Sequence, residues 1–327
     1  MGIHPPPSAP GVPTPISSSA TRDELAAALT QASYLPDSRT TLVLWLALRL
    51  ERPLLVEGPS GVGKTELARA TAKATGRSLI RLQCYEGLDE GKALYEWDYA
   101  KQVLYTQLLR DAVAAETAGA RTIAEAITRV AGAQVSFFGP TFLIARPLLR
   151  ALMSEDPVVL LIDEVDRSDP EFEAFLLEIL AENQVTLPEM GTIRAKHAPL
   201  VFLTSNGTRD MTDALRRRCL HLFLDYPSPS RELEILELRV PGIGADLAVE
   251  LADFIGKVRA LDLRKAPSIG ETLDWARALL VLGQGALDRE TVRDTLDLFV
   301  KYEEDRAKVE AKVPDWITGE QPPPKEA

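Results

Sequence analysis

Residues 58 to 65 read Gly58-Pro59-Ser60-Gly61-Val62-Gly63-Lys64-Thr65, and residue types at this spacing are suited to holding a chain of phosphates. They fit G-x-x-x-x-G-K-[ST] without a mismatch. The glycines let the backbone turn tightly with its N–H groups facing inward, which makes a nest for phosphate oxygens. Lys64 brings a mobile charge for the β- and γ-phosphates, and Thr65 a hydroxyl for Mg²⁺. A second group suits the hydrolytic step. Asp163 and Glu164 end the apolar run Val158-Val159-Leu160-Leu161-Ile162. Asp163 fits a Mg²⁺ shell, directly or through water, and Glu164 fits the residue that polarises an attacking water. Neighbours on a strand point opposite ways, so the two carboxylates are expected to have different jobs.

Particular elements must hold these residues in place. Pro53 to Glu57 reads as a short buried strand and Lys64 to Ala74 as a helix ended by Thr75-Gly76. That order sets a helix N-terminus behind a bound anion. The apolar run before Asp163 reads as a strand buried on both faces, as in a parallel sheet covered by helices. Its carboxylates stand at the C-terminal end, where open α/β sheets take ligands. Ser78 to Leu82, Pro199 to Asn206 and Leu220 to Leu224 add three strands. Five strands separated by helices predict an α/β fold around a five-stranded parallel sheet. Ser168-Asp169-Pro170 opens a helix with one apolar face, and Gln184 to Ile193 reads as a hairpin. Between Cys84 and Phe138 the aromatics are expected to pack, with a partner-facing insertion as the alternative, and Asp111 to Ala131 reads as helical. From Pro227 onward the pattern is helical: Arg231 to Leu238, Ala245 to Leu261, Gly270 to Leu282 and Arg289 to Val309. The expected division is a disordered Pro/Ser-rich arm at 1–20, an α/β nucleotide-binding domain at 21–227, a helical lid domain at 228–312 and a flexible tail at 313–327.

The 327 residues include 37 basic and 48 acidic ones, a net charge of −11. Such a balance disfavours nucleic-acid backbones as partners, since their binding rests on Lys and Arg. Cys84 and Cys219 lie far apart, and His4, His197 and His221 are scattered. Neither a disulfide framework nor a zinc site is expected. Apolar runs stay short of a membrane span, and the first residues lack the order of a secretion signal. A cytoplasmic location is expected.

The phosphate loop, Asp163-Glu164, Asn206 after an apolar strand, an arginine-rich turn and a helical C-terminal span together resemble the AAA+ ATPases. Within them the chain is most similar to the MoxR family, in the branch that includes CoxD. The resemblance covers roughly Tyr34 to Leu282. It rests on Phe138-Gly139-Pro140-Thr141-Phe142, Ile162-Asp163-Glu164-Val165-Asp166-Arg167, Glu182-Asn183-Gln184-Val185-Thr186 and Leu224-Asp225-Tyr226-Pro227. It implies a P-loop ATPase that uses ATP and Mg²⁺ and works as a homo-oligomeric ring, a hexamer, in a chaperone-like role. Asn206 would be the polar sensor of water or γ-phosphate. The run Arg216-Arg217-Arg218 would supply an arginine to the neighbouring subunit's nucleotide, Arg218 first and Arg217 next. The branch implies maturation of a metalloenzyme of the molybdenum-containing carbon monoxide dehydrogenase type, together with a von Willebrand factor A domain protein. Two departures stand out, and one is Cys219, which sits where relatives often have an aromatic. The other is in the lid: many MoxR proteins place an arginine there after a serine-proline pair, whereas Ala266 to Glu271 holds none, which leaves Arg264, Lys265 or Arg277 for that contact, or no such contact at all. A nucleic-acid motor or loader and a nucleotide-gated scaffold with little turnover are the competing readings, and ATP is not distinguished from GTP.

Overall fold

Strands buried on both faces send alternate side chains to two different cores, and the central strands do so here. A computed structural model describes residues 20–108, 122, 124–125, 140–188 and 190–317. The described chain opens with α1 (Arg22–Gln31) and α2 (Ser38–Leu50), whose first turns are capped by Thr21 and Asp37. β1 (Leu54–Glu57), the phosphate loop, α3 (Lys64–Thr75) and β2 (Ser78–Gln83) follow. The chain then leaves the sheet through α4 (Glu90–Leu94), β3 (Tyr95–Trp97) and α5 (Tyr99–Leu108). It returns through β4 (Leu143–Ala145), antiparallel to β3, and α6 (Pro147–Leu152). β5 (Val158–Asp163) leads to α7 (Pro170–Glu182), the hairpin of β6 (Gln184–Leu187) and β7 (Gly191–Arg194), β8 (Leu200–Ser205), α8 (Asp213–Arg218) and β9 (Leu220–Phe223). Helices α9 (Pro229–Arg239), α10 (Ala245–Arg259), α11 (Ile269–Val281), α12 (Arg289–Thr295), α13 (Glu303–Glu310) and α14 (Val313–Trp316) complete the described chain.

The five strands β2-β5-β8-β1-β9 form one parallel sheet in that order. This is the α/β P-loop architecture expected from the sequence. Leu55, Leu160, Ile162, Val201 and Leu203 face one core with α6 and α7, while Leu54, Val56, Val159, Leu161 and Phe202 face the other with α1 to α3. The step from β1 to β2 crosses β8 and β5, so a crevice opens at the C-terminal ends of β1, β8 and β5. The phosphate loop, Asn206 and Asp163 all lie at that edge.

The helices after Pro229 build a third core around Phe254, Trp275 and Phe299, with the last two rings 4.2 Å apart between centroids. The span expected as one helix from Arg289 to Val309 is broken. A short 3-10 turn at Leu296–Leu298 ends the first piece, so that Leu296, Phe299 and Val300 all reach the core. The fully buried Asp305 of the second piece accepts the backbone N–H groups of Arg264 and Lys265, at 2.9 and 3.1 Å. The tail expected to fray from residue 313 begins instead with a helical turn whose Val313 is fully buried. Of the aromatics expected to pack, Tyr95 and Trp97 meet edge to face at 5.5 Å, whereas Tyr99 is 65% exposed. The Ala-rich span 111–131, Phe138-Gly139 and nearly all of the N-terminal arm lie outside the described residues.

A buried ion pair inside the helical span links to the phosphate loop through Tyr226. Arg259 on α10 pairs with Glu232 on α9, their side chains only 7% and 1% exposed, and donates to the Pro267 carbonyl at 2.8 Å. Its guanidinium also lies 4.7 Å over the Tyr226 ring, whose hydroxyl donates to the Ser60 carbonyl at 3.3 Å. Removing one partner strands the other's charge. Glu232→Ala should cost about 3–5 kcal/mol, read as a lowered midpoint in urea unfolding followed by tryptophan fluorescence, since Trp275 sits in the same core.

Candidate nucleotide site

Gly58, Gly61 and Gly63 of the phosphate loop all have positive φ, and at the first two a Cβ would also collide. Gly58 (φ 150°) faces the Leu224 carbonyl oxygen, which a Cβ would approach to 2.0 Å, and Gly61 (φ 78°) faces Ser268, whose Cβ would be 2.1 Å away. Both are positions where a side chain would force the backbone apart. Pro59, Ser60, Val62 and Gly63 complete the loop, and Gly63 is the residue before the twelve-residue α3. The Lys64 ammonium turns back into the loop. It donates to the Gly58 and Pro59 carbonyls at 2.7 Å each and to Asn206 Oδ1 at 2.8 Å. Burial pulls this ammonium below the usual lysine value, against the opposing pull of Asp166, Asp163 and Glu164.

Asp163 is the last residue of β5 and is 3% exposed. Its Oδ1 accepts the Thr65 hydroxyl at 3.0 Å and the Thr204 hydroxyl at 2.6 Å. Its Oδ2 accepts the Arg81 guanidinium, from Nε at 2.9 Å and Nη2 at 2.6 Å. The reason given for the different jobs of Asp163 and Glu164 needs correcting. Glu164 is not a strand residue facing the opposite side. It has left β5 in the left-handed conformation (φ 57°, ψ 50°). Its N–H is held by the Thr204 hydroxyl at 2.9 Å. Its Oε2 accepts Gln83 Nε2 and Arg167 Nη1, each at 3.0 Å. A backbone kink, not the pleat, turns the two carboxylates apart.

Asn206 follows β8 directly, and its N–H donates to Asp166 Oδ2 at 3.2 Å. That same oxygen takes the Thr208 N–H and hydroxyl, at 3.0 and 2.6 Å, while the buried Oδ1 of Asp166 has no partner. Sequence reasoning missed Arg81, Gln83, Thr204 and Asp166 as members of this cluster. Signals were present: Arg81 and Gln83 share a face of β2, and Thr204 interrupts an apolar strand.

The cleft beside the loop has a volume of about 1020 Å³, at the upper end of the range for small-molecule and cofactor sites. Its lining runs from Ser33–Asp37 across the phosphate loop to Asp225–Ser228 and Ser268–Gly270. Ile269 N–H donates to the Gly61 carbonyl at 3.1 Å, so the N-terminus of α11 rests on the loop itself. None of the three cations expected to supply a lid contact lines the cleft. Arg264 lies over Tyr302 at 4.2 Å, Lys265 pairs with Glu271 at 2.9 Å and Arg277 pairs with Asp274 at 2.8 Å. The helical span instead turns Arg231 and Arg239 to the cleft, bonded to the carbonyls of Pro36 and Ser33 at 2.8 and 3.0 Å. These two lie on α9, well before the stretch in which a lid arginine was sought.

The arginine turn divides. Arg216 is tied within the chain to Glu57 at 3.1 Å. Arg217 and Arg218 are exposed at the end of α8, and their side chains make no hydrogen bond or ion pair among the described residues. Only their carbonyls are engaged, by Arg52 at 2.8 and 3.2 Å. Neither lines the chain's own cleft.

The residues fit a magnesium nucleotide. A hydroxyl and a carboxylate in contact, beside a backbone nest that no Cβ could share, are the hard oxygen donors Mg²⁺ takes when phosphates complete its shell. Among the described residues no group of three or more His, Cys, Asp or Glu could hold a metal by itself. Cys84 and Cys219 are buried, and burial pushes both thiols up to about 12, leaving them inert. No helix of the described residues is long and apolar enough to cross a membrane.

Comparison with known proteins agrees with this geometry. The AAA domain (dynein-related subfamily) matches residues 53–219, from the approach to β1 to the end of α8. Protein NorQ of Paracoccus denitrificans (strain Pd 1222) is 23% identical over 235 residues, 70% of this chain and 72% of NorQ. Chaperone protein ClpB 2 of Thermosynechococcus vestitus is 26% identical over 159 residues, 49% of this chain but 14% of ClpB 2. Chaperone protein ClpB of Corynebacterium diphtheriae is 28% identical over 165 residues, again 49% of this chain and 15% of that protein. The chain thus spans only a small part of either ClpB's length. With the matched segment holding the phosphate loop and four of the five strands of the parallel sheet, the chain belongs to the AAA domain family, in its dynein-related subfamily, and is an ATPase.

Proposed function

We propose that this chain is a Mg²⁺-dependent motor that assembles into a ring, a hexamer, and remodels a protein partner. The observation that carries the reading is the split arginine turn. The cleft has its own lysine, carboxylates and asparagine, while Arg217 and Arg218 stand exposed outside it, their side chains without hydrogen-bond or ion-pair partners among the described residues. A cation directed away from the chain's own nucleotide is what a site completed by its neighbour requires. Lys64 would release the loop carbonyls and bind β- and γ-phosphate. Thr65 and Asp163 would hold Mg²⁺, which when bound neutralises charge on the phosphates. Glu164 would take a proton from the attacking water, with Asn206 orienting it. Arg218 of the adjacent subunit would stabilise the transition state, with Arg217 as second candidate. Arg218→Ala should lower turnover by about 10³-fold while ATP affinity stays within a few-fold, measured by phosphate release and equilibrium binding. The same loss in Arg217→Ala, with Arg218→Ala active, would move the role one residue.

Remodelling rather than mere gating is supported by the chaperone name of two relatives and by the hairpin β6–β7 after α7, which buries Val185 and Leu187 and exposes Thr186 and Thr192 on its other face. The resemblance to the MoxR family, in the CoxD branch, adds the client: a metalloenzyme of the molybdenum-containing carbon monoxide dehydrogenase type, approached with a von Willebrand factor A domain protein. We place this work in the cytoplasm, with the α/β domain at 21–227 and the lid at 228–312 moving against each other. The test is a pull-down from the native host with Glu164→Gln and Mg·ATP, identified by mass spectrometry, against Glu164→Gln combined with Lys64→Ala. Enrichment of a von Willebrand factor A protein or a molybdenum enzyme only in the first sample supports the proposal. Enrichment of replication or repair proteins, lost on nuclease treatment, would replace it with a nucleic-acid motor.

A further inference from the structure

The hydrolytic cluster contains a cation that the reaction as described does not use. Arg81 on β2 stands beside Asp163, and three of its contacts run in one direction across the site. Nε and Nη2 hold Asp163 Oδ2, at 2.9 and 2.6 Å. Nη2 also donates to Gln83 Oε1. With its oxygen taken, the Gln83 amide must present Nε2 to the other side, where it meets Glu164 Oε2 at 3.0 Å. Arg81 and Gln83 sit two residues apart on one strand, so their side chains share a face of the sheet edge. The result is a continuous line from the carboxylate suited to a metal to the carboxylate suited to a base: Asp163, Arg81, Gln83, Glu164.

We propose that Arg81 is a positioning residue that couples cation binding at Asp163 to the release of Glu164. The proposal rests on the role given above to Asp163. A guanidinium and a divalent cation on one carboxylate repel each other, so each weakens the other's hold. With Arg81 in place, Glu164 is restrained through Gln83 and the carboxylate that would bind metal is already neutralised. Displacing Arg81 from Asp163 removes the acceptor that fixes its direction and with it the orientation of the Gln83 amide. The base then keeps only its exposed contact with Arg167, which is worth little, so it is loosened only where a cation is present, which suppresses futile turnover of metal-free nucleotide. Arg81 is 43% exposed on its side chain and so has room to swing outward.

The test uses the full chain with ADP and Mn²⁺ as the probe. In the ADP complex, followed by the electron paramagnetic resonance of free Mn²⁺, Arg81→Met should bind Mn²⁺ about tenfold tighter than wild type, a modest figure because water screens the half-exposed guanidinium. ADP affinity in EDTA should be unchanged, which verifies that the variant is folded. Asp163→Asn, measured alongside, should weaken Mn²⁺. If it does not, the metal role of Asp163 fails and not the coupling alone. An Arg81→Met affinity within twofold of wild type, or weaker, overturns the competition. The relay has its own readout. Gln83→Met and Arg81→Met should each raise basal kcat, and the double variant should equal the larger single effect, because both cut one line. Multiplying effects in the double variant would mean that Arg81 does not act through Gln83.

Discussion

Replacing Glu164 with glutamine is expected to lower steady-state ATP hydrolysis by about 10²–10⁴-fold, the usual span for a general base, while Mg·ATP affinity stays within a few-fold of wild type. The substitution keeps shape and removes only the ability to accept a proton. The Glu164 backbone is anchored independently of its side chain, by the Thr204 hydroxyl on its N–H, so the kink that turns it from Asp163 should persist. One of its Oε2 contacts, from Arg167, is exposed and worth little. Phosphate release and bound nucleotide would be followed in the same sample. Wild-type turnover in this variant would sink the assignment. The search would then move to Asp166, a buried carboxylate with one oxygen unpartnered in the same cluster.

The second large effect is expected from Lys64→Ala. All three protons of the ammonium are engaged, by two loop carbonyls and Asn206, so the side chain closes the loop before any phosphate arrives. Losing it removes charge-assisted bonds worth about 1.5–3 kcal/mol, which predicts roughly 10- to 150-fold weaker binding of a fluorescent ATP analogue. Lys64→Met, which keeps the apolar stem, should bind as weakly as the alanine. Affinity restored by methionine would show that the stem's packing, and not the charge, sustains the site.

Much of this arrangement is legible in the sequence because it depends on local chemistry. Gly58 to Thr65 declare a loop by residue type alone, and the run before Asp163 declares a doubly buried strand by its lack of polar positions. The order of strands places their tips together once the crossover from β1 to β2 is assumed. What was not legible depends on partners distant in the chain. Thr204 looks like the polar end of a strand, and only the pairing of β8 with β5 brings its hydroxyl between Asp163 and Glu164. Arg81 and Gln83 gain their place only once β2 is paired with β5 in register, which sets Gln83 opposite Asp163. The lid cations were sought near Pro267 because the family resemblance implied it, whereas the packing of α9 brings Arg231 and Arg239 to the cleft. The break in the span from Arg289 to Val309 is a tertiary effect too: helical periodicity continues through it, and Asp305 turns inward to satisfy the backbone at Arg264 and Lys265.

The bond from Ile269 to the Gly61 carbonyl gives the molecule a mechanical property. At 3.1 Å it is already near the long end of the hydrogen-bond range. A slide of the α11 N-terminus by about 1.5 Å, the rise of one residue along a helix, would break it. The phosphate loop is therefore the fulcrum of a lever whose arm is the helical span, and Ser268 is the tooth that bears on it through the gap left by the missing Cβ of Gly61. A lever transmits load both ways. In the proposed motor, tension placed on the helices by a partner would be carried to the loop through this bond, so resistance met outside the cleft would reach the nucleotide's own seat.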